Sequence, residues 1–404
     1  MRQFRYVNLF SLMFNVAIIC VVSYAILENV KISISGYSSI QRPLLYIAAF
    51  CLFPLIGSII KKLKRKEYFP LFLFLLLFLV TFSYSTLTNR TNGGYAAINF
   101  FIYIVELFLL MVYAAENDKV QLVFNLIFKY ALFITIITDI IIFTGIIHFT
   151  DGSFETYLIG SKFSVAYLHI YLLAFFLLKH SFKQSLNMRQ VLSFILLSLL
   201  TIYISIRVDC NTGLIGSLLL MFFIMIFRTN NRTLRVFTSP LLFIGFIFAS
   251  SVIAFLFEII IQTPIITNFI TNTLGRDLTL TGRTEIYSVF ASSMSGHWLW
   301  GYGFGNAYTA SMSLFGYANA QNALLQWILQ IGLVPVIFLV IFWAYIMFQV
   351  SKKKNLSQIM PAIALIYVFI ILGTVEITYS MNFILWISLL LMWAHRKEKF
   401  KEYI

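Results

Sequence analysis

The chain has 404 residues, of which 60% are hydrophobic and only 11% charged, with a formal net charge of +14. Soluble domains typically carry about a quarter charged residues, so no water-soluble core hides this much apolar surface and much of the solvent must be lipid. Length alone would allow two or three soluble domains, but the apolar runs recur with short gaps and no Pro/Ser-rich linker, so residues 1–404 read as one membrane domain.

Arg2 and Arg5 precede an apolar run, as in a signal peptide. That run is about 20 residues long and lacks a small-residue cleavage site before Glu28, so it reads as a first, retained helix. A span needs about 20 mostly apolar residues. Twelve segments qualify: Val7–Leu27, Pro43–Ile60, Tyr68–Leu87, Tyr95–Ala115, Phe124–Ile147, Phe163–Leu178, Gln190–Ile206, Gly213–Phe227, Pro240–Ile259, Ala323–Val350, Pro361–Val375 and Met381–Ala394. The expected fold is an all-α polytopic integral membrane protein of about 12 transmembrane helices. One long extracytoplasmic loop, residues 260–321, lies between the ninth and tenth spans.

Lys and Arg set the orientation, because cytoplasmic loops collect them. With the N-terminus inside, 21 of the 29 Lys and Arg fall in inner segments, including the runs at Lys61–Lys66, Lys352–Lys354 and Arg396–Lys401. Outer segments hold seven: Lys31, Arg42, Arg90, Lys162, Arg207, Arg276 and Arg283, while Lys129 lies within a helix. Both termini are therefore expected in the cytoplasm. The +14 charge is then a topology signal and calls for no nucleic-acid partner. Cys20, Cys51 and Cys210 form no CxxC or Cys/His cluster, so neither a disulfide framework nor a metal site is indicated.

The charges that topology does not demand face outward. Lys162 opens the sixth helix after the loop His148–Ser161. Arg207 and Asp209 sit in the turn Arg207-Val-Asp-Cys-Asn-Thr-Gly213. Arg276, Asp277, Arg283 and Glu285 lie in the long loop, and Glu376 precedes the last helix. Arginine's planar fork suits phosphate oxygens, so one reading is an anionic ligand such as a lipid phosphate or pyrophosphate. The other reading is pairing with Asp209, Asp277 and Glu285, or contact with phospholipid headgroups. Within the spans, Glu106 and Asp139 are costly in hydrocarbon. They mark either an ion path or hydrogen bonds between helices, with Lys129 a snorkelling partner for Glu106; one acid per helix favours the structural role. The segment Gly296-His-Trp-Leu-Trp-Gly-Tyr-Gly-Phe-Gly305 is no nucleotide loop, since no strand precedes it and no GK[ST] follows. Its Trp298, Trp300, Tyr302 and Phe304 fit headgroup-level anchoring or stacking on sugar rings.

From Thr281 onward the chain resembles the O-antigen polymerase/ligase superfamily. The resemblance is carried by Gly282-Arg283-Thr-Glu-Ile-Tyr287, by Gly301-Tyr-Gly-Phe-Gly305, and by Ala320-Gln-Asn-Ala-Leu-Leu-Gln326 leading to Gly332. The turn Asn211-Thr-Gly213-Leu-Ile-Gly216 and the stretch Glu376 with Asn382-Phe-Ile-Leu-Trp386 extend it. Two departures stand out. Gln321 replaces the family's His before Asn322, and Asn211 sits where many members have arginine, with Arg207 one turn earlier.

The resemblance implies a polymerase of polysaccharide repeat units. An undecaprenyl-pyrophosphate-linked oligosaccharide is the expected donor and a second lipid-linked repeat the acceptor, with no cofactor and no metal. Expected partners are membrane lipids, a chain-length regulator and a flippase. Arg207, Arg276 and Arg283 are the expected pyrophosphate clamp, with Lys162 a further candidate. Asp209, Glu376, Glu285 and His297 are the available bases, Asp209 and Glu376 ranking first as residues at helix ends. Asn211, Gln321 and Asn322 support the motifs. Alternatives are a ligase of the same superfamily and a transporter or flippase of polysaccharide or lipid-linked oligosaccharide.

Overall fold

The computed structural model describes residues 9–34, 36–89, 94–145, 149–151, 154–181, 187–256, 259–260, 263–268, 271–272 and 282–396. Among them, nine helices are long and apolar enough to cross a membrane. They are α1 (Leu9–Ile26), α3 (Tyr37–Leu63), α4 (Phe69–Thr88), α5 (Gly94–Glu116), α6 (Val120–Thr144), α7 (Lys162–His180), α8 (Met188–Arg207), α9 (Asn211–Thr229) and α16 (Leu333–Ser351). A short helix α2 (Val30–Ser33) follows α1. Helices α10 (Asn231–Phe237) and α11 (Pro240–Phe255) form a pair bent by 65° that qualifies as a further span. Pro240 starts α11 where its missing N–H costs nothing.

Two shorter apolar helices, α17 (Met360–Leu372) and α18 (Met381–Ala394), complete the bundle. They are apolar all round and are its centre: Pro361 through Ile370 and Asn382 through Ala394 are buried without a break. α17 packs on α9 and α7, and α18 on α5 and α16. The outer helices present the opposite pattern. Leu192, Leu196, Leu199 and Tyr203 of α8 and Phe69, Phe72, Leu76 and Val80 of α4 stand exposed. A contiguous apolar surface of this kind is unusual on a protein that lives in water. The chain is an all-α polytopic membrane protein; each of the twelve expected segments overlaps a helix, the tenth overlaps two, and the last two match the shorter helices α17 and α18.

Three local departures have physical causes. The expected loop His148–Ser161 carries a small antiparallel hairpin, β1 (Phe149–Asp151) with β2 (Phe154–Thr156). The described residues of the long loop include three helices, α12 (Pro264–Asn268), α13 (Arg283–Ser293) and α14 (Ala307–Phe315). The expected span Ala323–Val350 breaks at Gly332 into α15 (Ala323–Ile331) and α16.

The break has a partner. The Gly-rich segment 296–305 runs across it, and the Leu333 and Val334 amides donate to the carbonyls of Trp298 and Leu299 at 2.8 and 3.2 Å. The Tyr302 amide donates to Leu329 at 2.8 Å. Gly332 has φ 79° and ψ 174°, a region essentially reserved for glycine. A Cβ there would lie 2.3 Å from the Leu299 carbonyl, and one on Gly301 2.6 Å from the Gly332 nitrogen. The aromatics of 296–305 consequently pack on protein: Phe304 stacks on Phe100 at 4.7 Å and Trp300 meets Tyr84 edge-on at 4.4 Å. This segment fastens the long loop to α4 and α5.

Gly332→Ala is expected to cost roughly 1–3 kcal/mol from backbone strain alone, with the clash added. Thermal unfolding in detergent should show a clearly lowered midpoint, and an unchanged one would contradict this packing.

Candidate functional site

The loop-bearing end of the bundle is organised around four residues that follow α17. The backbone of Gly373–Glu376 has left the helix, so its carbonyls need partners from elsewhere. The Gly373 carbonyl accepts from the Ala323 amide at 2.8 Å. The Thr374 carbonyl accepts from Asn322 Nδ2 at 3.1 Å and from the Tyr287 hydroxyl at 3.3 Å. The Val375 carbonyl accepts from Arg283 Nε and Nη2 at 3.0 and 2.8 Å. Arg283 Nη2 also reaches Glu376 Oε1 at 2.9 Å, and both side chains are only about an eighth exposed (12% and 13%).

Sequence explains how each donor gets there. Gly282 (φ 81°) caps α13 and lets the chain turn under Tyr317, whose ring a Cβ would strike at 2.0 Å. Arg283 is therefore the first helical residue, with Tyr287 one turn on. Asn322 caps α15, its Oδ1 accepting from the Leu324 and Leu325 amides at 3.1 and 3.0 Å. Its Nδ2 also donates to the Ser250 carbonyl of α11 at 3.1 Å.

Around Glu376 the polar groups of two further helix starts converge. Thr212, in the first turn of α9, hydrogen-bonds the carboxylate, and Lys162, which opens α7, lowers its pKa through space. Lys162 Nζ also bonds Asp209 Oδ2 at 3.2 Å. Asp209 sits at φ 51° in the tight turn between α8 and α9, whose cap is the Cys210 sulfur. Arg207 ends α8, and its charge acts on Tyr157 together with those of Glu155 and Asp209. The buried Tyr167 hydroxyl, which feels both Glu376 and Arg283, has no hydrogen-bond partner. Burial pushes Glu376 up to about 7, even though Arg283, Lys162 and Thr212 all pull the other way.

Lys162, Arg207, Asp209, Asn211, Arg283 and Glu376, singled out from sequence, thus gather at one end of α7, α8, α9, α13 and α17. Asn322 and Gln321 adjoin them as scaffold: the Gln321 carbonyl accepts from Tyr287 at 2.8 Å. Glu285 turns away to the Tyr317 hydroxyl at 2.6 Å. His297 belongs to the fastening segment, stacked on Tyr302 at 4.0 Å with Nδ1 near the Gly301 carbonyl. Arg276 and Asp277 lie outside the described residues. Thr212 and Tyr167 were not singled out, although Thr212 lies inside the quoted Asn211-Thr-Gly213 motif.

The intramembrane acids also resolve. Asp139 meets the buried His169 of α7 at 3.1 Å, a partner the sequence did not single out. Glu106 is buried with neither carboxylate oxygen hydrogen-bonded, and Lys129 points outward from the bundle rather than toward it. Among the described residues, no group of three or more His, Cys, Asp or Glu stands where it could hold a metal ion. No protein-family model matches the chain, and no curated protein matches it.

The raised Glu376 value fixes a sign. With an ordinary value of 4.5 unfolded and about 7 folded, its burial costs nothing while protonated and becomes unfavourable as pH rises between those values. Unfolding midpoints in detergent should therefore fall more steeply from about pH 5 to pH 8 in wild type than in Glu376→Gln. The difference corresponds to up to about 3 kcal/mol at full ionisation. Parallel profiles would remove Glu376 as the titrating group.

Proposed function

We propose that the chain is a membrane glycosyltransferase, a polymerase of undecaprenyl-pyrophosphate-linked oligosaccharide repeats working on the outer face of a bacterial cytoplasmic membrane. The observation that carries this reading is the enclosed Arg283–Glu376 pair, with Lys162 and Thr212 acting on Glu376 and Lys162 bonded in turn to Asp209 at the loop-bearing end. That set combines what the reaction needs: fixed cations for a leaving pyrophosphate and a carboxylate poised near neutral pH.

In this reading the acceptor hydroxyl attacks the anomeric carbon of the donor sugar. The bond from that carbon to the pyrophosphate oxygen breaks, and its electron pair leaves with undecaprenyl pyrophosphate. Glu376 takes the hydroxyl proton, and Arg283 orients Glu376 by holding one oxygen and the adjacent backbone. Lys162 and Arg207 balance charge building on the leaving group, which is already a stabilised anion, so positioning carries much of the work. The absence of a histidine at Gln321 favours polymerase over ligase.

A second reading, transport of the lipid-linked glycan, is favoured by the unpartnered Glu106 carboxylate at membrane depth. Glycan analysis of a strain lacking the gene separates the readings. Loss of long polymer with single repeats left on the carrier lipid supports the polymerase. Long polymer retained on the carrier assigns a ligase; single repeats held on the inner leaflet, out of reach of a glycan-cleaving enzyme added outside, assign transport; unchanged glycans overturn all three readings.

Arg283→Ala should insert normally yet lose chain growth by at least about a hundredfold, the scale for removing one charge-stabilising donor. Wild-type polymer length from that variant would overturn the assignment. The pH profile of transfer should rise through about 7 as Glu376 ionises, and Glu376→Gln should abolish that limb.

A further inference from the structure

We propose that the opposite end of the bundle holds a binding site for a phosphate ester or phosphate ion, independent of the loop-bearing site. Its seat is a cavity of about 640 Å³ between the turn joining α3 to α4 and the ends of α5, α16 and α18. Three separate chain segments contribute its cations: Arg65 and Lys66, Lys352 and Lys353, and Arg396.

Among the described residues, two acids line the same space, Glu67 and Glu116. Glu116 is already committed, since Arg65 Nη1 reaches its two oxygens at 2.8 and 2.7 Å and the Tyr68 hydroxyl donates at 3.1 Å. With that pair set aside, Glu67 stands against the charges of Lys66, Lys352, Lys353 and Arg396. The positive-inside tendency accounts for basic residues anywhere on this face. It does not by itself bring cations from three segments to the wall of one concavity, where an anion would lower their mutual repulsion. Basic pockets between helix ends are a recurrent way to hold lipid phosphate.

Two side chains give the cavity a fixed shape. Arg396 is laid over Trp393, its guanidinium carbon 4.6 Å from the ring centroid, and its Nη2 is bonded to Gln358. His395 is stacked on Tyr68 at 4.6 Å, and its Nε2 is buried with no hydrogen-bond partner. Burial and the nearby Lys353 push His395 down to about 4, so the ring is neutral at physiological pH. A neutral ring adds no charge to the wall and acts there as a packing surface.

The test is native mass spectrometry of the purified full chain in detergent, titrated with phosphatidylglycerol, phosphatidylcholine or inorganic phosphate. Wild type should retain phosphatidylglycerol in preference to phosphatidylcholine. The double variant Lys352→Gln/Lys353→Gln should weaken that retention about tenfold. Arg232→Gln/Arg235→Gln, outside this cavity on the short helix α10, should leave it unchanged. Arg396→Gln is a second, independent variant should the first fail to fold. Inorganic phosphate binding with the same variant dependence, and without lipid preference, would identify free phosphate as the ligand of the same site. Equal losses in the α10 variant, or no preference over phosphatidylcholine together with no phosphate binding, would overturn the proposal.

Discussion

The four residues after α17 are the constraint on which the loop-bearing end depends. A chain leaving a buried helix exposes carbonyls that neither lipid nor apolar side chains can satisfy. Here Ala323, Asn322, Tyr287 and Arg283 supply the donors, and they come from two helices of the loop region. The same bonds that cancel this cost fix where Arg283 and Glu376 stand. Asn322 adds a third element, because it also holds the Ser250 carbonyl of α11 and caps α15. Structural necessity and the geometry of the candidate site are one network.

Segment 296–305 is anchored for a related reason. Segment 296–305 lays its backbone directly on the break at Gly332, so α15 can end and α16 begin without stranding polar groups. Aromatic contacts to Phe100, Phe82 and Tyr84 then tie it to α4 and α5. A carboxylate such as Glu376 keeps its unusual environment only if the walls around it do not move. The fastening segment supplies that, and His297 serves it as a packing ring rather than as a group facing Glu376.

The two ends of the bundle handle charge differently. Two ion pairs stand at the loop-bearing end: Arg283 with Glu376, both largely buried, and Lys162 with the mostly exposed Asp209. At the opposite end, among the described residues that line the cavity, cations outnumber acids. Between them the buried acids are isolated. Asp139 is answered by His169, while Glu106 is left to the bundle interior.

The sequence by itself determined the membrane fold, the approximate places of the helices and the fact that the charges outside the basic runs gather in a few places. Those features rest on local runs of apolar residues and on counts, which neighbouring residues carry between them. It also put Lys162, Arg207, Asp209, Arg283 and Glu376 forward, because charge is conspicuous in an apolar chain. Only the tertiary structure decided that Arg283 meets Glu376 across 93 positions, that Glu285 turns to Tyr317, and that His169 answers Asp139. It also decided that the tenth expected span breaks at Gly332, because the cause lies in a backbone thirty residues earlier in the chain. Such pairings depend on which helix ends lie side by side, and helices alike in length and apolarity carry no local signal of their neighbours.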